Sequence, residues 1–190
     1  MTNALRRSAV IAVVTLAISA PLGYAAKPVS PSLAGVYKVV ASQACQTNLT
    51  GFTAYPDLFA LDQSFQGSID NWESTMEFFS NGTVTETSHG QYLLPGVLNQ
   101  PAGDFDNTCN YIATTNADGS LTLNGSCNGK TLSGIGKGED TTLAPAAWRV
   151  FPVQGMILLS SSQLQVTTLT SSKNGTFKRI CQGHGVGVKF

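Results

Sequence analysis

Residues 109–127 read CNYIATTNADGSLTLNGSC, and this stretch decides the fold. Two runs of strand-forming residues flank a polar turn that ends at Gly119. If Gly119 adopts the left-handed conformation that closes a bulged hairpin, the loop is a three-residue one and Asn116 pairs with Ser120. The sequence therefore predicts two antiparallel strands joined by a tight turn.

Four cysteines, an even number, indicate disulfides in an oxidising compartment. In the hairpin register Cys109 lies opposite Cys127, at a non-hydrogen-bonded position where side chains come closest. That pair leaves Cys45 to bond with Cys181, which joins the first predicted strand region to the last, as closure of a barrel requires. A zinc site is the alternative, but the cysteines lack the short spacing of a zinc knuckle, and His184 is the only imidazole nearby. We therefore expect two disulfides and no bound metal.

The rest of the chain repeats this pattern of strand-forming runs separated by tight turns. Asn-Gly and Asp-Gly pairs supply the positive φ angles that hairpins need, and they recur through the second half of the chain. The predicted strands are residues 35–42, 72–79, 83–93, 108–115, 120–127, 129–136, 156–160, 164–169 and 175–182. This spacing predicts an all-β domain, a single antiparallel meander barrel of about 8–10 strands.

Three longer stretches lack the strand pattern, and one of them, residues 94–104, is expected to be a plain surface loop. Residues 50–69 are rich in aromatic side chains, and Pro56 is placed to open a short helix. We expect this segment to be a plug that completes the core at one barrel end, with a lid over a ligand as the alternative. Residues 139–152 are expected to be irregular, with Trp148 and Phe151 packing inward.

The N-terminus has the order of a secretory signal. Two arginines precede an apolar run, residues 9–20, which Pro21 ends. This run is shorter than the roughly 20 apolar residues that a membrane-spanning helix needs. Small residues at the third and first positions before the cut predict cleavage after Ala25. Removal of residues 1–25 would leave residues 26–190 as one secreted or periplasmic barrel domain.

The charge pattern gives no electrostatic basis for binding nucleic acid or anionic lipid. The chain has 11 basic and 11 acidic residues, and loss of two signal-peptide arginines leaves 9 basic residues against 11 acidic ones. The remaining basic residues are scattered along the chain instead of forming a stripe. No motif indicates a cofactor, a catalytic triad or a nucleotide-binding loop.

Carboxylates are the only acid–base candidates in the sequence. Glu73 and Glu77 lie on one face of a predicted strand, and Glu86 follows across the next turn. Like charges held close together shift pKa values towards a useful range. A solvated outer face is the simpler interpretation, and it places Met76 and Phe78 in the interior.

Glycines alternate in two places. They are Gly134, Gly136 and Gly138, and Gly183, Gly185 and Gly187. Such spacing is expected to allow strand curvature and close packing, with a ligand resting on the bare backbone as the alternative.

Residues 33–39, LAGVYKV, place an aromatic residue two positions after a glycine. This segment resembles the opening strand of lipocalin-like (calycin-type) barrels, with Tyr37 where that family usually has tryptophan. The resemblance implies that a late basic residue, Arg179 or Lys178, packs across the Tyr37 ring in a cation–π contact. The family's long helix before the final strand is not visible, which leaves avidin-like and cyclase-like barrels as alternatives.

The fold-level resemblance suggests a function, binding of a small, largely apolar ligand in the barrel interior. The candidate wall residues are Tyr37, Trp72, Phe78 and Trp148. One alternative is a protein-interaction or inhibitor module that uses its loops and has a filled core. Another is a cofactor-free isomerase or cyclase-like barrel enzyme.

Overall fold

Nine antiparallel strands contain most of the residues that the structure describes. The computed structural model describes residues 33–52, 65–94, 103–162 and 166–190. The predicted signal peptide, its cleavage after Ala25 and most of the expected plug lie outside these ranges. The strands are β1 (Gly35–Asn48), β2 (Phe65–Phe78), β3 (Thr83–Leu93), β4 (Gly103–Thr115), β5 (Leu121–Thr131), β6 (Asp140–Val153), β7 (Met156–Ser162), β8 (Thr167–Ser171) and β9 (Gly175–Lys189). Within these ranges, no helix is long and apolar enough to cross a membrane.

The sheet closes into an eight-stranded barrel in which β7 and β8 together take the place of one strand. Each strand from β1 to β6 pairs with the next one in the chain. The seventh position is shared by β7 and β8, which both pair with β6 on one side and β9 on the other. Strand β9 pairs with β1 and so closes the sheet. The predicted all-β antiparallel barrel is confirmed.

The predicted hairpin with the turn at Gly119 forms between β4 and β5. The Asn116 amide donates to the Ser120 carbonyl at 2.8 Å, and Gly119 has φ 80°. Cys109 and Cys127 lie directly opposite each other on β4 and β5, with their Cα atoms 4.0 Å apart. The register and the disulfide therefore agree, as the turn chemistry required.

Both predicted disulfides are present. Cys45 and Cys181 are direct partners on β1 and β9, and their bond spans 136 residues of sequence. The bond therefore joins the first strand to the last across the seam where the barrel closes. Disulfides of this kind are compatible with an extracellular or periplasmic location.

The expectation of an irregular stretch at residues 139–152 was wrong, because this segment is strand β6. One extra residue of β6 is inserted where Gly125 and Cys127 of β5 face it, which is a β-bulge. Pro145 lies at this bulge and has no N–H to donate to a neighbouring strand. The proline and the bulge hide the period of two that marks a strand in sequence. The separate strand expected at residues 129–136 does not form, because β5 ends at Thr131.

The alternation of side chains along β6 also corrects the predicted orientation of Phe151. Trp148 points inward and is 7% exposed, whereas Phe151 is 37% exposed on the outer face. The Arg149 guanidinium lies over the Phe151 ring, 5.2 Å from its centroid. Since alternate residues of a strand share a face, Trp148 and Phe151 cannot both point inward from one regular strand.

The cation over Tyr37 is not one that the resemblance implied. The Lys189 Nζ lies 5.9 Å from the centroid of the Tyr37 ring. The β1–β9 register makes Lys189 the direct partner of Tyr37, while Arg179 faces Thr47 and Lys178 faces Asn48, near the far end of β1. The expectation for Arg179 and Lys178 was therefore wrong.

The barrel interior differs between its two ends. At the end with the tight turns at 79–82, 116–120 and 154–155, apolar side chains fill the interior. They include Tyr37, Val39, Met76, Phe78, Val84, Leu121, Val150 and Ile157. Towards the other end, where β1 finishes and β2 begins, the inward side chains are mainly small or polar.

The glycines of β9 make room for this core. A Cβ atom added to Gly187 would lie 2.7 Å from Cγ1 of Ile157 and 2.9 Å from Cγ2 of Val39. Gly183 and Gly185 are similarly crowded by residues of β1. The other alternating set, Gly134, Gly136 and Gly138, has positive φ angles in the turn between β5 and β6. In β9 the glycine pattern therefore reflects close packing between strands.

Replacing Gly187 by alanine is expected to lower the free energy of unfolding by about 1–3 kcal/mol, because the new methyl group overpacks a full core. Gly67→Ala is the matched control, since the nearest atom to its new Cβ would be 3.9 Å away. Urea denaturation of both variants measures the difference. A Gly187→Ala variant as stable as Gly67→Ala would contradict this account of the packing.

Candidate functional site

A cavity of about 320 Å³ occupies the polar half of the barrel. It lies in the size range of small-molecule sites, roughly 300–1,000 Å³. The space exists because many inward side chains here are short. They include Ser68, Ser88, Asn107, Thr131, Ser161, Thr167 and Ser171. The strands that pack tightly at one barrel end thus leave an open interior at the other.

Two of the four predicted wall residues line this cavity. Trp72 and Trp148 pack edge to face, with ring centroids 5.8 Å apart and planes at 61°. Tyr37 and Phe78 instead pack on each other in the apolar core, with centroids 5.4 Å apart. The difference follows from their positions, since Tyr37 and Phe78 lie where β1 begins and β2 ends. Trp72 and Trp148 are the two tryptophans of the chain, and both line the cavity.

Glu86 is a buried cavity residue, which the sequence did not predict. It is the β3 partner of Met76 and shares its inward face, with 4% of its surface exposed. The expectation that Glu86 accompanies Glu73 on a solvated outer face was therefore wrong. The indole N–H of Trp72 donates to Oε1 of Glu86 at 3.2 Å. The hydroxyl of Tyr111 donates to Oε2 at 2.9 Å.

Tyr111 is placed to remain a neutral donor. Burial raises the pKa of its phenol well above the ordinary value, and the nearby Glu86 carboxylate raises that pKa further. A hydrogen bond with Trp148 acts in the opposite direction and offsets part of this rise in the pKa. Tyr111 thus stays protonated at neutral pH, and both oxygens of Glu86 accept hydrogen bonds from uncharged groups.

A buried ion pair joins β2 and β9. An Nη2 of Arg179 pairs with Oδ2 of Asp70, and the two side chains are 13% and 8% exposed. The same nitrogen of Arg179 donates to Ser68 at 3.2 Å. Gln43 donates to the Asp70 carboxylate at 3.1 Å. The ion pair is therefore held by polar neighbours and balances its own charge.

The charged residues that line the cavity are Asp70, Glu86, Glu139 and Arg179. The described lining therefore has three acidic side chains and one basic side chain. Glu139 is 7% exposed and accepts a hydrogen bond from Asn174 at 3.0 Å. Across the part of the chain that the structure describes, no cluster of three or more His, Cys, Asp or Glu side chains is placed to hold a metal ion.

Comparison of the chain with protein-family models, with curated proteins and with solved structures finds no match. The cavity is therefore interpreted from its own residues, which combine an aromatic wall, a buried carboxylate and a balanced ion pair.

Proposed function

We propose that this chain is an exported barrel that binds a small, largely apolar ligand in the cavity beside Trp72 and Trp148. The observation that carries the proposal is the interior space of about 320 Å³. A module that acts only through its surface loops would be expected to have a filled core, as small eight-stranded barrels often do. Among the described residues, apolar side chains fill one half of the barrel and leave a cavity in the other.

The cavity lining supports a ligand with an apolar body. Its large apolar side chains include Trp72, Phe105, Leu143, Trp148, Leu169 and Phe177. Burial of apolar surface contributes roughly 25 cal/mol per Å². Polar groups in a binding site fix the orientation of the ligand, and Glu86 and Arg179 take that role in this proposal.

Export and the lipocalin-like resemblance are parts of the same proposal. Two disulfides, one of them between the first and last strands, support a role in an oxidising compartment. The signal-like sequence before Ala25 supports the same location. A closed antiparallel barrel with an internal cavity is consistent with a calycin-type protein.

Titration with the uncharged apolar probe N-phenylnaphthylamine is expected to quench tryptophan emission saturably. Both tryptophans of the chain line the cavity, so their emission is sensitive to a probe that binds there. Absence of quenching by this probe and by a wider panel of apolar probes would contradict the proposed function.

A matched pair of variants locates the binding site. Thr141 lines the cavity, whereas the side chain of its neighbour Thr142 points outward and bonds to Asn128 at 3.0 Å. Thr141→Phe places a ring in the cavity and is expected to weaken probe binding by about tenfold or more, or 1.4 kcal/mol. Thr142→Phe is expected to leave binding unchanged. Equal effects of the two variants would place the probe elsewhere.

A further inference from the structure

We infer that the ligand of this cavity carries a positively charged amine that binds against Glu86. The inference rests on the proposed function and adds the chemical class of the ligand. Its basis is a buried carboxylate that has no cationic partner in the part of the chain that the structure describes, next to aromatic rings and inside a cavity.

No cationic side chain of the described residues pairs with the Glu86 carboxylate. Among the described residues, the ion pairs are Arg179–Asp70, Arg149–Asp118 and His89–Asp106, and none of them includes Glu86. Its two hydrogen-bond donors, Trp72 and Tyr111, are neutral. A buried carboxylate is costly unless a cation is near it. The ammonium group of a ligand would supply that cation.

The rings around Glu86 suit the same group. Trp72 and Tyr111 contact the carboxylate directly, and Trp148 packs edge to face on Trp72. A cation over the face of tryptophan or tyrosine is attracted by the ring quadrupole, and this attraction grows when water is excluded. The rings of Trp72 and Tyr111 meet the carboxylate at their edges, through N–H and O–H, so an ammonium group bound to Glu86 would lie close to both rings.

The rest of the lining favours a cation over an anion. Among the described lining residues, Arg179 is the only basic one, and it is paired with Asp70. Glu86 and Glu139 remain, so the described lining has an excess of acidic over basic side chains. The resulting field raises the local concentration of cationic ligands and lowers that of anionic ones.

Two buried polar atoms in the lining have no hydrogen-bond partner among the described residues. They are Oγ of Ser161, whose residue is 3% exposed, and Nε of Arg179. Buried polar groups are usually satisfied, so both atoms indicate that a ligand or water binds here. The Ser161 hydroxyl is able to accept from an ammonium. The Arg179 Nε favours an acceptor, and an anionic ligand is therefore the competitor that the experiment has to test.

Isothermal titration calorimetry with three indole compounds of similar shape measures how the charge of the ligand affects its affinity. Tryptamine is a cation at neutral pH, tryptophol is neutral and indoleacetate is an anion. Tryptamine is expected to bind at least about tenfold more tightly than tryptophol, because a hydrogen bond between charged groups is stronger than one that a neutral hydroxyl makes to the same carboxylate. Indoleacetate is expected to bind most weakly. This comparison uses the unaltered protein and does not depend on the folding of a variant.

A matched pair of variants assigns the preference to one residue. Glu86→Gln is expected to weaken tryptamine binding by about tenfold or more and to remove most of the preference for tryptamine over tryptophol. Glu73→Gln removes the same charge from the exposed outer face of the adjacent strand β2 and is expected to have no effect.

The outcomes separate the two proposals. If tryptophol or indoleacetate binds as tightly as tryptamine, or if tryptamine does not bind while N-phenylnaphthylamine still does, the amine inference fails and the proposed function stands. If Glu86→Gln and Glu73→Gln lower tryptamine affinity equally, the assignment to Glu86 fails. If neither the apolar probe nor any indole compound binds, the proposed function itself fails.

Discussion

Replacing Cys45 and Cys181 together by alanine is expected to lower the free energy of unfolding by about 5 kcal/mol. In the chain-entropy model, a disulfide stabilises by restricting the unfolded chain, and its effect grows with the length of the loop that it closes. This bond spans 136 residues and joins the two strands that close the barrel. Guanidinium denaturation at equilibrium measures the loss.

The second disulfide is the internal control for this prediction. Cys109 and Cys127 close a loop with a sequence separation of 18, so their double alanine variant is expected to lose only about 3 kcal/mol. A larger loss for the short loop, or an unchanged stability without the Cys45–Cys181 bond, would show that the sheet holds itself closed without the bond between its terminal strands.

Arg179→Met is expected to destabilise the protein by about 3 kcal/mol or more. The substitution leaves Asp70 as a charge with 8% exposure and no cation. Removal of one partner from a buried pair costs more than the pair itself contributes, because the remaining charge stays desolvated. The same denaturation experiment measures the effect.

Two further variants test that explanation. Arg149→Met breaks the Arg149–Asp118 pair, whose side chains are 47% and 51% exposed, and is expected to cost about 1 kcal/mol or less. Adding Asp70→Leu to Arg179→Met is expected to restore most of the lost stability, since no charge then remains buried. If the double variant is no more stable than Arg179→Met alone, a lone buried charge is not the cause.

Local turn chemistry was sufficient to predict the register of one hairpin and, through it, both disulfides. The same rule was available for the preceding hairpin. The amide of Phe79 donates to the Thr83 carbonyl at 3.0 Å, and Gly82 has φ 90°, so this turn matches the one that ends at Gly119. Applied there, the rule would have placed Glu86 opposite Met76 and inside the barrel.

The remaining features depend on contacts between distant parts of the chain. Strand β6 was missed because Pro145 and the bulge interrupt its alternation, and only pairing with β5 and β7 defines it. The Arg179–Asp70 pair joins residues 109 positions apart, which no local pattern indicates. The aromatic side chains suggested four wall residues. Tyr37 and Phe78 lie in the part of the barrel that the core fills, whereas Trp72 and Trp148 lie beyond it and line the cavity. Only the three-dimensional packing shows where the core ends.

The most direct test of the central claim observes the two indole N–H groups by NMR. The chain contains only two tryptophans, both in the cavity wall, so two indole signals report on the site. On titration with tryptamine or N-phenylnaphthylamine, both signals are expected to shift saturably with one shared dissociation constant, because one ligand contacts both rings. Indole signals that stay fixed with every probe, while the spectrum of the folded protein is unchanged, would contradict ligand binding in this cavity.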